Sequence, residues 1–201
     1  MQKKIIFIDM KELRKIIRKI ISESIEMDGE YIDVSCAALA SINVDGNYLL
    51  FKEKSKYQPI GGGLKYYDSA LPFLESINFR TDRTDNDLRI QIPKENWEEF
   101  KKWFESGRDR ETSISREIDE ELTPYLGSSM VGKMQTNNYN LKEVITEKYR
   151  IFQIHKITFP DDVREAIIEL VNNNEEFILA TPSEMISQSN NISNHSFNII
   201  L

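Results

Sequence analysis

The order of the predicted elements indicates an α+β domain in which a sheet is sandwiched between helices. Strand-forming segments come first, a central helix follows, and further strands and helices complete the chain. This order is typical of α+β proteins. With 201 residues, of which 40% are hydrophobic and 29% charged, the chain has a globular composition and can bury a core of its own. We therefore expect one main domain, over residues 31–201, preceded by a short N-terminal segment.

That N-terminal segment, residues 1–30, is predicted to form a strand and an amphipathic helix. "KKIIFID" is rich in strand formers, and Asp9 suits the N-cap of a helix from about Met10 to Met27. Isoleucine and leucine recur on one face of this helix, and basic residues lie opposite. Packing on the core or at a dimer interface explains this pattern better than a membrane-surface helix. A homodimer is therefore one hypothesis for the segment.

A β-hairpin and a glycine-rich segment are predicted next. "YIDVSCAALASIN" and "NYLLFKE" are both rich in strand formers, and Asp45 and Gly46 between them favour a tight turn. The second strand leads into "YQPIGGGLKYY", where Gly61, Gly62 and Gly63 permit left-handed conformations and the close approach of another group. A triple glycine is often only a loop. Its position before an acidic helix is what makes it a candidate ligand-binding segment.

Residues from about 64 to 106 are interpreted as an insertion between the glycines and the acidic helix. The segment contains "LPFLESINF", a polar turn "RTDRTDND", a predicted strand "LRIQIP" and a helix that begins near Pro93 and ends at Gly107. The apolar side of that helix carries Trp97, Phe100, Trp103 and Phe104. Aromatic residues at helical spacing are usually core, and a base-stacking pocket is the alternative.

The acidic helix, "SREIDEEL", concentrates negative charge on one face. Glu117, Glu120 and Glu121 fall within an arc of roughly 100°, and the helix is expected to end just before Pro124. Like charges at these spacings, near a helix C-terminus, cost about 1 kcal/mol or more. A divalent cation with oxygen ligands would reverse the sign of that interaction. The spacing therefore suggests a metal site.

An ordinary amphipathic helix is the competing interpretation of the same segment. Ile114, Ile118 and Leu122 form an apolar stripe beside the acidic arc, so the glutamates could belong to a solvated face. Thr112 or Ser113 is expected to cap this helix.

The remainder of the chain reads as a polar loop, strands and helices. "GSSMVGKMQTNN" is predicted to be a loop, and "LKEVITEKYRIFQIHKITF" to be one long strand or two consecutive ones. A helix is expected after Pro160, and "EEFILATPSEMISQ" is expected to form a strand and a helix capped by Ser183.

Composition excludes several classes of protein. The net charge of -7 argues against binding duplex nucleic acid through a broad basic surface. The single cysteine, Cys36, cannot form an intrachain disulfide, fits a reducing compartment, and lies in an apolar run typical of a buried strand. Two histidines do not suffice for a zinc cluster. No apolar stretch approaches the roughly 18 residues of a membrane span, so a cytoplasmic protein is expected.

The glycines and the acidic helix together resemble a split Nudix box. The relevant residues are "GGG", Gly107, Glu111 and "REIDEEL", which contains the pattern Arg-Glu-hydrophobic-x-Glu-Glu. The resemblance implies a Nudix-type sheet between helices and a site for Mg²⁺, or alternatively Mn²⁺. In Nudix hydrolases the positions of Glu117, Glu120 and Glu121 bind the metal, and Arg116 holds the loop and the helix together through a carboxylate such as Glu111.

The resemblance also implies catalytic and substrate-binding roles. Glu120 or Glu121 would accept the proton of the attacking water, with Arg116 completing the catalytic set. Gly61, Gly62, Gly63 and Lys65 would contact the substrate phosphates. Some Nudix enzymes use a glutamate from a later loop instead, for which Glu143 and Glu147 are candidates by position.

The likeness extends beyond the box to one subfamily. From Tyr31 to the C-terminus, "YQPIGGGLKYY", "DLRIQIP", "KKWFESGRDRETSISREIDEEL" and "FILATPSEM" resemble the SMODS-associated Nudix domain of bacterial cyclic-oligonucleotide antiphage signalling systems. Members can carry upstream transmembrane helices; this chain has none, which implies a soluble protein. The expected activity is hydrolysis of a nucleoside diphosphate linked to another group. A non-catalytic module that binds a nucleotide or cyclic oligonucleotide is the alternative.

One departure from the pattern concerns the upstream half of the box. A glutamate usually lies eight residues before the arginine, where this chain has Arg108, while Glu111 lies only five residues before Arg116. Either Glu111 substitutes for that glutamate, or the supporting ion pair is lost.

Overall fold

A computed structural model describes residues 30–136 and 149–200, together with the backbone of residues 137–145. In this part of the chain eight strands form one mixed sheet. The strands are β1 (Tyr31–Val44), β2 (Asn47–Glu53), β3 (Lys56–Gln58), β4 (Gly61–Gly63), β5 (Arg89–Pro93), β6 (Gln135–Ile145), β7 (Tyr149–Thr158) and β8 (Phe177–Ala180).

In the described part of the chain the α-helices alternate with the strands from residue 71 onward. They are α1 (Leu71–Ser76), α2 (Trp97–Ser106), α3 (Ser115–Leu126), α4 (Ser128–Val131), α5 (Asp161–Asn173) and α6 (Pro182–Ser187). Short 3₁₀ turns cover Asp68–Ala70, Lys94–Asn96 and Ser196–Ile199.

The long strand β1 organises the sheet. Along one edge it pairs antiparallel with β5 and then with β4, along the other it runs parallel to β7, and its end forms the hairpin with β2. Over its first half, buried residues alternate with partly exposed ones. Since side chains of a strand alternate between the faces of the sheet, one face of β1 is core and the other is accessible.

The core lies on both sides of this sheet. The larger hydrophobic cluster joins the even-numbered residues of β1 to α2, α3 and α5, and a smaller one joins Leu39 and Phe152 to α6 and the C-terminal 3₁₀ turn. The predicted α+β class, with a sheet between helices, is therefore confirmed.

Local turn predictions are confirmed at two sites. Asp45 and Gly46 both have positive φ, 52° and 87°, at the tip of the β1–β2 hairpin. Gly107 adopts a left-handed conformation at the C-terminal end of α2. "LRIQIP" forms β5, and the segment after residue 134 forms two strands, β6 and β7.

Three of the four aromatic residues of α2 are core, so the base-stacking alternative is wrong for those three. Trp97, Phe100 and Phe104 are buried in the larger cluster, and Trp103 stacks on Phe73 with ring centroids 5.1 Å apart. A buried ring has no free face to offer a base.

Three local predictions are corrected. The segment predicted as a polar loop contains α4 and the start of β6, because Val131 and Met134 are buried. The helix α6 is capped by Thr181 rather than Ser183: Thr181 Oγ1 accepts the Glu184 N–H, and the Glu184 carboxylate accepts the Thr181 N–H. The acidic helix α3 continues past Pro124 to Leu126.

The predicted strand and helix of the N-terminal segment, and the dimer hypothesis that rests on them, fall on residues 1–29, outside the described part. The compact unit described above begins at Tyr31. Among the described residues, no helix has both the length and the apolar character needed to cross a membrane.

Candidate active site

The helix α3 directs two of its glutamates at the glycine strand β4. It begins at Ser115, so Glu117 lies in its first turn rather than near its C-terminal end. The helix macrodipole therefore stabilises the negative charge of Glu117. The expected cost of placing this glutamate near a helix C-terminus does not apply to it. Ser113 Oγ accepts the Ser115 N–H at 3.1 Å, although neither Thr112 nor Ser113 is the N-cap residue.

Each glycine of β4 is closely approached by another group. A Cβ on Gly61 would lie 2.1 Å from the Ala38 carbonyl oxygen, and Gly61 also has a φ of +151°. A Cβ on Gly62 would lie 2.5 Å from a carboxylate oxygen of Glu117. The glycines therefore let the helix carboxylates reach the backbone of an edge strand.

Glu117 and Glu121 are the carboxylates at this edge. The Gly61 N–H donates to Glu121 Oε2 at 3.3 Å. Burial raises the pKa of Glu121 to about 8; the Gly61 hydrogen bond opposes this rise, and the charges of Glu117 and Glu53 add to it. Burial also raises the pKa of Glu117, against the opposing charge of Arg116. A positive charge near both carboxylates would lower both pKa values.

Glu120 differs from the other two glutamates. Its side chain is 60% exposed, and Oε2 lies 3.5 Å from Arg116 Nη1. The carboxylate of Glu120 is thus turned to solvent and to the arginine.

Arg116 joins α3, the glycine strand and the segment before the helix. Its Nε and Nη2 donate to the two carboxylate oxygens of Glu111 at 3.1 and 3.0 Å, and Nη2 also donates to the Gly63 carbonyl at 3.0 Å. Nη1 lies 2.7 Å from Glu117 Oε1. Hydrogen bonding to Glu111 raises the pKa of Arg116, so it stays charged. The ion pair that the Arg108 departure put in question is present with Glu111.

A buried polar network supports the segment before α3 that carries Glu111, the partner of Arg116. Arg110 is 2% exposed; its Nε donates to the Phe104 carbonyl at 2.7 Å and Nη1 to the Glu111 carbonyl at 2.6 Å. Gln153 accepts from Arg110 Nη1 and donates to the Thr112 carbonyl. These contacts fix the backbone that presents Glu111. The sequence does not predict these contacts, since an arginine in "GRDRET" has no local sign of burial.

Lys65 is the remaining predicted site residue that the structure describes in full, and it contacts this edge through its backbone. The backbone N–H of Lys65 donates to Glu111 Oε2 at 3.3 Å, and its carbonyl accepts the Glu111 N–H. The side chains of Glu143 and Glu147 fall outside the described part of the chain. Glu53, which the sequence analysis did not single out, lines a cavity of about 270 Å³ together with Gly61 and Gly62.

The donor chemistry of this edge fits a hard divalent cation. Within the described residues, no three His, Cys, Asp or Glu side chains are grouped closely enough to hold a metal ion. Glu117 and Glu121 nevertheless bring carboxylate oxygens to the same short strand, and Mg²⁺ is usually bound by one or two carboxylates plus water and substrate phosphates. Two protein carboxylates therefore suffice for such a site.

Comparison with known proteins gives one match. A family model described as the SMODS-associated NUDIX domain matches residues 31–200, which covers the whole sheet and α3. No curated protein and no solved structure matches the chain significantly.

Proposed function

Since the chain belongs to the SMODS-associated Nudix domain family, we propose that it hydrolyses a nucleoside diphosphate linked to another group, in a Mg²⁺-dependent reaction. The observation that carries this proposal is the convergence of Glu117 and Glu121 on the glycine strand, with Arg116 bonded to both sides of the contact. A structural salt bridge alone would not require one buried and one half-buried carboxylate beside an edge strand.

In the proposed reaction, a water oxygen attacks phosphorus, the bond to the bridging oxygen breaks, and the leaving phosphate departs. Bound Mg²⁺ would neutralise phosphate oxygens and activate water. Glu117, Glu120 and Glu121 would hold the cation, and Glu120 or Glu121 would accept the proton. Arg116 keeps Glu117 and the glycine strand in register. The backbone of Gly61–Gly63 and the amine of Lys65 would contact the phosphates.

The biological setting belongs to the same proposal. A cytoplasmic role in bacterial antiphage defence rests on the family description and on the single cysteine of the chain. Cys36 is fully buried in β1 and burial raises the pKa of its thiol, so it does not compete as a nucleophile.

The test is release of phosphate or mononucleotide from a substrate panel with Mg²⁺ or Mn²⁺. The panel contains nucleoside triphosphates, dinucleoside polyphosphates, NAD, ADP-ribose and cyclic oligonucleotides. The unmodified protein is compared with Glu120→Gln and Glu121→Gln, and Asp119→Asn is the matched control, an exposed carboxylate on the same helix. Loss of turnover in Glu120→Gln or in Glu121→Gln, with turnover kept in Asp119→Asn, supports a hydrolase.

A non-catalytic nucleotide-binding module is the second candidate. The exposed, outlying position of Glu120 favours it, because a hydrolase needs its proton acceptor within hydrogen-bond reach of the attacking water. Saturable binding of one panel member without turnover in the unmodified protein would establish this alternative and reject the hydrolase.

A further inference from the structure

A second, larger cavity opens on the accessible face of the sheet. Its volume is about 650 Å³, and we call it the arginine cavity because four arginines line it. They are Arg80, Arg83, Arg89 and Arg150, accompanied by Asp33 and Asp82. The lining is thus net positive although the chain has a net charge of -7. A cavity of this charge favours an anionic ligand.

Two of the arginines are held by uncharged groups. The guanidinium of Arg80 lies over the ring of Tyr31, 3.8 Å from its centroid. Arg150 Nη1 lies 2.9 Å from His195 Nε2, and burial, with a contribution from Arg150, lowers the pKa of His195, so its ring is neutral and accepts the hydrogen bond. Neither of these contacts offsets the positive charge of its guanidinium.

The other two arginines share one buried carboxylate. Asp87 Oδ2 lies 3.3 Å from Arg83 Nη1 and 3.6 Å from Arg89 Nε. The side chain of Asp87 also packs against Gly63, where a Cβ would lie 2.7 Å from Oδ1. This carboxylate therefore ties the orientation of two arginines to the glycine strand of the proposed active site.

The arginine cavity adjoins the smaller cavity beside the glycines. The two share Ser35, Arg89 and Arg150, which lie in one row across three strands, since Ser35 pairs with both arginines. The Gly62 row is three residues further along β1. At about 3.3 Å per residue, the two rows are about 10 Å apart.

We propose that the arginine cavity binds a second phosphate group of the same ligand, so that the substrates are nucleotides carrying a phosphate in addition to the diphosphate to be cleaved. The proposed function places that diphosphate at Gly61–Gly63, and this inference rests on it. A row spacing of about 10 Å is short enough for one nucleotide ligand to reach both rows, through a phosphate borne by its sugar or by a next nucleotide. The planar guanidinium of arginine can donate two parallel hydrogen bonds to a phosphate group, which the ammonium of a lysine cannot.

Binding of matched ligand pairs tests this inference, with the full chain in Mg²⁺ buffer and Glu120→Gln as the common background to suppress turnover. NADP and coenzyme A each carry a sugar phosphate that NAD and dephospho-coenzyme A lack. The 5′-diphosphate of the dinucleotide ApA carries a phosphodiester that ADP lacks. We expect the ligand with the extra phosphate to bind about tenfold tighter or more in at least one pair, and the pair that responds identifies a monoester or a diester.

Arg80→Ala is the decisive variant, because Arg80 is an exposed residue whose removal leaves the core intact. It should reduce the affinity ratio of the responding pair to less than threefold without changing the affinity for the ligand that lacks the phosphate. Arg150→Lys should reduce the ratio by less. Arg164→Ala is the matched control: it removes an arginine paired with Asp45 at the β1–β2 turn and should leave the ratio unchanged.

The outcomes separate this inference from the proposed function. Equal affinities within all three pairs, or a ratio that survives Arg80→Ala, would overturn the second phosphate site even if the unmodified protein hydrolyses its substrates. A ratio that depends on Arg80, combined with no turnover of any panel substrate by the unmodified protein, would support the site and reject the hydrolase.

Discussion

Two regions along β1 have opposite chemistry. At the carboxylate end, Glu117 is buried and Glu121 half-buried beside Gly61–Gly63, and both have raised pKa values. In the arginine cavity the charged groups are largely exposed, and two of them are oriented by neutral rings. The first end is a strained, preorganised arrangement that suits a cation; the second is an open arrangement that suits an anion. Substitutions should therefore affect stability and function differently at the two ends.

The largest expected effect is on stability at the carboxylate end. Gly61→Ala should lower the free energy of unfolding by about 3 kcal/mol or more, because a Cβ would lie 2.1 Å from a backbone oxygen of β1. Gly127→Ala is the control: its φ of 77° and ψ of 152° also favour glycine, but nothing lies within 4 Å of its Cβ position, so it should cost about 1 to 3 kcal/mol, less than Gly61→Ala. Urea denaturation measures both. Equal losses would show that the close approach does not matter.

The next effect separates activity from stability. Glu117→Gln and Glu121→Gln should each lower turnover about 100-fold, yet leave the melting temperature unchanged or higher without added metal, because an uncharged amide is cheaper to bury than a carboxylate. Thermal melts and initial rates with and without Mg²⁺ test this, with Asp119→Asn as control. A large fall in melting temperature in both variants would instead assign the carboxylates a structural role.

The carboxylate end was predictable because its signal is local. Glu117, Glu120 and Glu121 share a helix face by spacing alone, and the glycines precede them in sequence. The sequence did not predict how exposed to solvent each of these glutamates is. Burial of Glu121 and exposure of Glu120 depend on where β4 and β2 lie, and Pro124 wrongly suggested the end of α3.

The arginine cavity was not predictable for a different reason. "RTDRTDND" has the composition of a solvated turn, and Arg150 lies some sixty residues further along the chain. Only the antiparallel pairing of β5 and the parallel pairing of β7 on opposite edges of β1 bring these arginines together. Such pairings are non-local, and hydrophobic periodicity does not specify which strands become neighbours.

Acidification should lower the stability of the protein through His155, which belongs to the hydrogen-bond network that supports the carboxylate end. His155 Nε2 is bonded to Gln153, which holds Arg110 and the backbone before α3. Burial lowers the pKa of His155 to about 4, below its ordinary 6.5, so the unfolded chain takes up the proton first as the pH falls. Stability should therefore decrease from pH 6.5 towards pH 4, by about 1 to 3 kcal/mol from this residue.

His155→Gln tests this dependence, because an amide can still accept the Gln153 hydrogen bond but does not titrate. Urea denaturation at several pH values should give a flatter profile for the variant between pH 6.5 and pH 4. The half-buried ring of His195, whose pKa is also lowered, contributes in the same direction and remains in the variant. Parallel profiles for the two proteins would exclude His155 as the source.

The smallest expected effect lies in the arginine cavity. Arg80→Ala removes a guanidinium that stacks on Tyr31 at the surface, and such contacts contribute about 0.5 to 1 kcal/mol. Arg164→Ala breaks an exposed ion pair with Asp45, which contributes a similar or smaller amount. Thermal melts should therefore place both variants within a few degrees of the unmodified protein. If Arg80→Ala were instead as destabilising as Gly61→Ala, the four arginines would be part of the framework of the fold. The contrast between a preorganised carboxylate end and an open arginine cavity would then disappear.

A stability loss as small as that of Arg164→Ala, together with the loss of phosphate discrimination, would mean that Arg80 contributes to binding rather than to folding.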